Sequence, residues 1–210
     1  MQAGRLRLAH GWTLRHGEDL TPTLLRDFVR PAVHAVPSAL AKRLGDCEIS
    51  FPAQAEGDVL SRWSMTNSGV EVSVATEGLE EHDVVMELLL CLGQAAWEVL
   101  SDAELRAYWR LLCDEIDSDI EGEIDEQALE EKDDLFECRS HAGRARRLAS
   151  YGRASFAGTL AEYVHCLWHE VTVRAGPNHL PAAQLKRRLE LLAEWFPPDR
   201  GYRLFPAGTR

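Results

Sequence analysis

The chain contains no G-x-S-x-G nucleophile elbow, no Gly-rich phosphate loop of either common type and no C-x-x-C pair. Their absence removes the simplest routes to an acyl-transfer serine, a nucleotide cradle or a redox dithiol. Positive charge is scarce. There are 23 Lys and Arg against 34 Asp and Glu, a formal net charge of −11, which opposes attraction to nucleic-acid phosphates or anionic lipid and excludes both as expected partners. Long apolar runs are missing as well: Val84 to Leu100 is interrupted by Glu87, Gln94 and Glu98 and falls short of the roughly 20 apolar residues a membrane span needs. The five cysteines, Cys47, Cys91, Cys113, Cys138 and Cys166, are odd in number and widely spaced, as expected of reduced, mostly buried thiols. The first residues, Met1 to Arg7, lack a continuous apolar stretch. Together these features lead to the expectation of a cytoplasmic protein.

What is present is enough apolar residue, 45% of 210, to build one core, and the chain reads as a single domain over 1–210. A strand is expected around Arg5 to Leu14. Thr21-Pro22 then supplies an N-cap and a first-turn proline for a helix towards Leu44, divided by Pro31 and Pro37 and ended by Gly45. Strands follow at Cys47 to Pro52, Val59 to Met65 and Val70 to Ala75, the last two joined by a turn at Asn67-Ser68-Gly69.

From Glu81 onwards the pattern is helical. A central helix to Leu100 carries one polar stripe of Glu87, Gln94 and Glu98. Ser101 and Glu104 form a capping box for the next helix, which bears Leu105, Tyr108, Trp109 and Leu112. An acidic insertion over about 114–137 and an arginine-rich stretch precede a helix from Ser155 to Val173, stopped by Gly176-Pro177-Asn178, and a last helix spans Pro181 to Trp195. The expected fold class is therefore α+β and mostly helical, with a small N-terminal mixed or antiparallel sheet packed on the central helix.

The stretch Met86-Glu87-Leu88-Leu89-Leu90-Cys91-Leu92-Gly93 resembles the zincin helix H-E-x-x-H-x-x-G with both histidines replaced, by Met86 and Leu90. Glu87 and Gly93 keep their places. The order of elements is similar to that of gluzincin-type metallopeptidases, in which a short sheet and an edge strand, here Val70 to Ala75, come before this helix. A later helix then supplies a glutamate, here Glu162 in Ala161-Glu162-Tyr163. The resemblance implies a degenerate zincin-like fold without peptidase activity, a pseudoenzyme that needs no cofactor and binds a protein or peptide partner along the edge strand. If catalysis persists, Glu87 is its general base.

A second constellation stands on spacing alone. In Glu162-Tyr163-Val164-His165-Cys166-Leu167-Trp168-His169-Glu170, residues 162, 165 and 169 share one helical stripe, so Glu162, His165 and His169 can converge on one ion, zinc by their donor types. That geometry supports the alternative of a metal-dependent hydrolase, with Glu87 or Glu170 activating the water. Packing histidines are the plainer explanation, as a solvent-facing side chain is for His82 near the start of the central helix. Asp117 to Asp125 is similar to an EF-hand loop, but Ala128 stands where the closing glutamate belongs, so the segment reads as a solvated acidic linker. Arg144, Arg146, Arg147 and Arg153 are expected to face that acidic run. A third alternative is a structural or assembly protein whose Trp- and Leu-rich helices form an oligomer interface.

Overall fold

The structure is a computed structural model that describes residues 4–16, 20–54, 57, 59–169 and 178–205. Five strands form one mixed sheet: β1 (Gly4–Arg7), β2 (Thr13–His16), β3 (Asp46–Ser50), β4 (Ser61–Met65) and β5 (Gly69–Val74), in the order β1-β2-β3-β5-β4. β2, β3 and β5 run parallel, while β1 and β4 close the two edges antiparallel. The expected edge strand is thereby corrected. Val70, Val72 and Val74 are buried in β5, which lies inside the sheet, whereas the mostly exposed β4 takes the edge. A tight hairpin folds β4 outside β5 and leaves β5 free to pair with β3.

The helix begun at Thr21, whose hydroxyl accepts from the Leu24 N–H, widens into a π-turn over Leu24–Val29 and continues as α1 (Arg30–Ala35). The widened turn accommodates Pro31, which has no N–H to give. Extended backbone at Val36, before Pro37, separates α2 (Ser38–Leu44), as Pro37 predicts. The helical part then comprises α3 (Glu81–Trp97), α4 (Asp102–Asp117), α5 (Glu126–Glu137), α6 (His141–His169) and α7 (Ala182–Trp195). The expected end of the α6 helix at Val173, and Gly176-Pro177, lie outside the described residues. No single helix among the described residues is long and apolar enough to cross a membrane.

α3 is the central element. It is buried along Val84, Val85, Leu88, Leu89, Leu92, Ala95 and Ala96 between the sheet and α6. Its polar stripe is not left to solvent: Glu87 accepts from Ser61 Oγ at 2.7 Å, Gln94 accepts from Trp63 Nε1 at 2.6 Å, and Glu98 pairs with Arg153 at 2.7 Å. The first two seat α3 on the edge strand β4.

The acidic linker departs furthest from expectation. Instead of remaining solvated, Glu123 turns inward beside Glu115, and both are buried around the fully buried guanidinium of Arg188 from α7. Arg188 donates to Glu115 at 2.6 Å, to Glu123 at 2.8 Å and to Ser155 Oγ at 2.8 Å. Tyr151 donates to Glu123, and Lys132 lies 3.7 Å from the same carboxylate while donating to the carbonyls of Ile120 and Gly122. Two cations and two carboxylates balance, and the hydroxyls fill their remaining hydrogen-bonding positions. Of the arginine-rich stretch, Arg147 does face the acidic α5 through Asp134, whereas Arg153 turns to α3.

Removing Arg188 leaves two buried carboxylates with Lys132, 3.7 Å from Glu123, as their one nearby counter-charge among the described residues, so Arg188→Met should cost about 3–5 kcal/mol in chemical denaturation. A loss below ~1 kcal/mol would contradict this reading of the network. The capping box forms as the sequence predicts, and Glu104 also takes both arms of Arg43 at 2.8 Å. Arg43 first, and then the Ser101 N–H and hydroxyl, hold the Glu104 carboxyl down at about 2, below its ordinary 4.5. Because the folded-state pKa is depressed, the stability Glu104 contributes is fully present above pH 4.5 and lost as pH falls towards 2. Glu104→Gln should therefore be less stable than wild type at neutral pH, with the difference closing across that window.

Candidate metal centre

At the start of α3 and the end of α6, three imidazoles meet. One ring nitrogen each from His82, His165 and His169 lies within 4.8 Å of the others. The i, i+4 spacing of His165 and His169 places both on one face of α6, as expected. His82 is the addition. Its ring stacks on Trp168 at 6.0 Å between centroids and meets His165 edge-on at 5.1 Å, so it is not simply a solvent-facing histidine.

Helix–helix contact makes this meeting possible. Gly93 lies about 20° around α3 from His82, on the same face, and a Cβ there would stand 2.7 Å from the Ala157 backbone of α6. The glycine that occupies the zincin glycine position thus serves close packing. Glu87 lies about 140° around the helix from His82, hydrogen-bonded to Ser61 on β4. The structure does not bring Glu87 to the histidines. Met86 and Leu90, at the positions of the zincin histidines, are partly buried against the core.

The orientation of the rings is specific. His82 Nε2 and His165 Nε2 face each other at 3.1 Å. Behind them, His165 Nδ1 is 3.3 Å from Glu162 Oε2, and His82 Nδ1 is 3.6 Å from Asp83 Oδ1. Two imidazole nitrogens on one tetrahedral zinc with bonds of ~2.0–2.1 Å sit about 3.3 Å apart, close to the spacing seen here. The hydrogen bond between Glu162 and His165 Nδ1 favours the tautomer that leaves Nε2 as the donor to an ion, while Asp83 stands beyond hydrogen-bonding distance of His82. Glu162 takes this second position: it contacts His165 and accepts from Cys166 Sγ at 3.5 Å, while the three mutually close donor atoms are all imidazole nitrogens.

The surroundings of His169 favour its neutral form. Burial, followed by the neighbouring His165 and His82, lowers the His169 pKa below its ordinary value, which favours the form that binds a metal. Cys166, i+1 from His165 where a zincin would carry its glutamate, is no base: burial pushes its thiol well above the usual range. Cys47 and Cys91 are likewise held as thiols, pushed up by burial to about 12 and about 11. All five cysteines are free, with Cys113 exposed. Trp168 covers one side of the centre, its ring 3.9 Å from that of His169 and edge-on to Phe28. Glu170, the other candidate base, lies outside the described residues.

No family model, curated protein or solved structure matches this chain. The His82, His165 and His169 cluster could hold a metal ion on its own geometry.

His82 was not legible as a ligand because its partners lie 83 residues or more away. One signal was available, namely that it shares a helical face with Gly93, the residue most suited to contact with another helix. Arg188 carried a clearer one. It interrupts the apolar stripe of Leu185, Leu189 and Leu192, and a charge on such a stripe needs buried partners of opposite sign.

Proposed function

We propose that this chain is a metal-binding protein that holds one divalent transition-metal ion, zinc, on His82, His165 and His169. Glu162 acts behind His165 as an orienting carboxylate, and Asp83 stands behind His82. The observation that carries this reading is the face-to-face approach of two Nε2 atoms at 3.1 Å, each ring with a carboxylate behind it. A pair of packing histidines needs at most one such hydrogen bond and no carboxylate on both far sides. Three imidazole nitrogen donors also suit zinc better than the harder calcium or magnesium ions, which prefer oxygen.

A metal-dependent hydrolase is the second reading. It is favoured by a ligand set of three, with no fourth His, Cys, Asp or Glu joining the cluster among the described residues. Closed structural zinc sites use four protein ligands, and catalytic ones keep a position for water, whose pKa the ion lowers. In this reading Glu87 has no part, since it is committed to β4. The resemblance to zincins enters only through the order of sheet, central helix and later helix with Glu162.

Protein purified without chelator or His-tag should contain about one zinc per chain by mass spectrometry. His82→Ala, His165→Ala and His169→Ala should each abolish stoichiometric binding, Glu162→Gln should weaken zinc affinity about 10–100-fold, and Glu87→Gln should leave it unchanged. Retention of zinc by the His82→Ala/His165→Ala variant, or equal loss on Glu87→Gln, would overturn the assignment.

A further inference from the structure

A second concave site lies on α4, independent of the histidine centre. One stripe of the helix, Ala103, Arg106, Trp109, Arg110, Cys113 and Asp114, lines an open surface depression of about 630 Å³. Arg106 and Arg110 are exposed on this stripe, and neither has a hydrogen bond or ion pair among the described residues. That is notable in a chain with a net charge of −11, where other arginines close to α4 do find carboxylates: Arg43 on Glu104, Arg153 on Glu98 and Arg187 on Asp114. The one carboxylate in the depression is thus turned to α7 by Arg187, 3.9 Å away. Like charges at i and i+4 repel along a helix, so the pair adds a local cost that an anion bound between them would relieve.

Beside the two arginines, about 60° around the helix from Arg106, stands an aromatic surface held in place. The Trp109 indole lies over Gly152 of α6, where a Cβ would come within 2.1 Å of its ring, and is edge-on to Trp97 at 5.8 Å. The ring is only partly buried, which leaves area for a flat group to stack against.

We propose that this α4 face binds a small aromatic phosphate monoester, its phosphate oxygens on Arg106 and Arg110 and its ring against Trp109. Guanidiniums one turn apart can each donate two N–H groups to a phosphate, and a dianion matches their combined charge. The aromatic body accounts for the indole, which a phosphate alone would not use.

Calorimetric titration with phenyl phosphate, with a chelator present so that the histidine centre cannot contribute, tests the proposal. Saturable binding at one site is expected, weakened by about tenfold or more in each of Arg106→Gln and Arg110→Gln through loss of charge-assisted hydrogen bonds. Both variants should melt no lower than wild type, because the side chains are exposed and each substitution removes the repulsion between them. Inorganic phosphate should bind about tenfold more weakly for want of the stacking contact. No saturable heat through the millimolar range, equal affinity in the Arg106→Gln/Arg110→Gln variant, or inorganic phosphate binding as tightly as phenyl phosphate would each overturn the proposal.

Discussion

The approach of α3 to α6 at Gly93 governs the arrangement of the helical half. Only a residue without a Cβ lets the backbones meet at Ala157, and this contact sets where every other side chain on the two helices falls. On the face turned to α6, His82 is carried to His165 and His169. On the face turned away, Glu87 and Gln94 are carried to Ser61 and Trp63, fixing the helix to the sheet edge. One helix thus joins two partners, the sheet edge through its polar stripe and α6 through Gly93 and His82, and its buried apolar residues belong to the core.

Two clusters of buried or half-buried polar groups result, and they differ in chemistry. Around Arg188 the charges balance and the hydroxyls of Tyr151 and Ser155 complete the hydrogen bonds. Such a cluster ties α4, α6, α7 and the linker together and has nothing to offer a ligand. The histidine cluster is unbalanced in the opposite sense. Its ring nitrogens converge on one another, carboxylates stand behind two of the rings, and burial favours the neutral form of His169. A cation placed among them satisfies what the protein leaves unsatisfied.

Much of this fold can be read from local pattern. The Ser101 and Glu104 capping box, the proline break at Pro37, and the α3 stripe rest on local residues, and each forms as expected. Strand order does not follow from local pattern. Val70, Val72 and Val74 alternate as well for an edge as for an interior strand, and only pairing with Asp46 to Ser50 decides that β5 lies inside. Two of the three clustered histidines were legible for the same reason, since His165 and His169 sit one turn apart on one helix. His82 arrives from another helix. Glu162 was placed on the correct stripe, but three positions from His165 it reaches Nδ1, the far side of the ring, and does not join the three clustered nitrogens.

The account stands on three imidazoles converging on one ion, and X-ray absorption at the zinc edge measures this directly. The prediction is a first shell of nitrogen and oxygen only, at ~2.0–2.1 Å, with the outer-shell scattering of three imidazoles. A sulfur scatterer at ~2.3 Å, or fewer than three imidazoles, would contradict it.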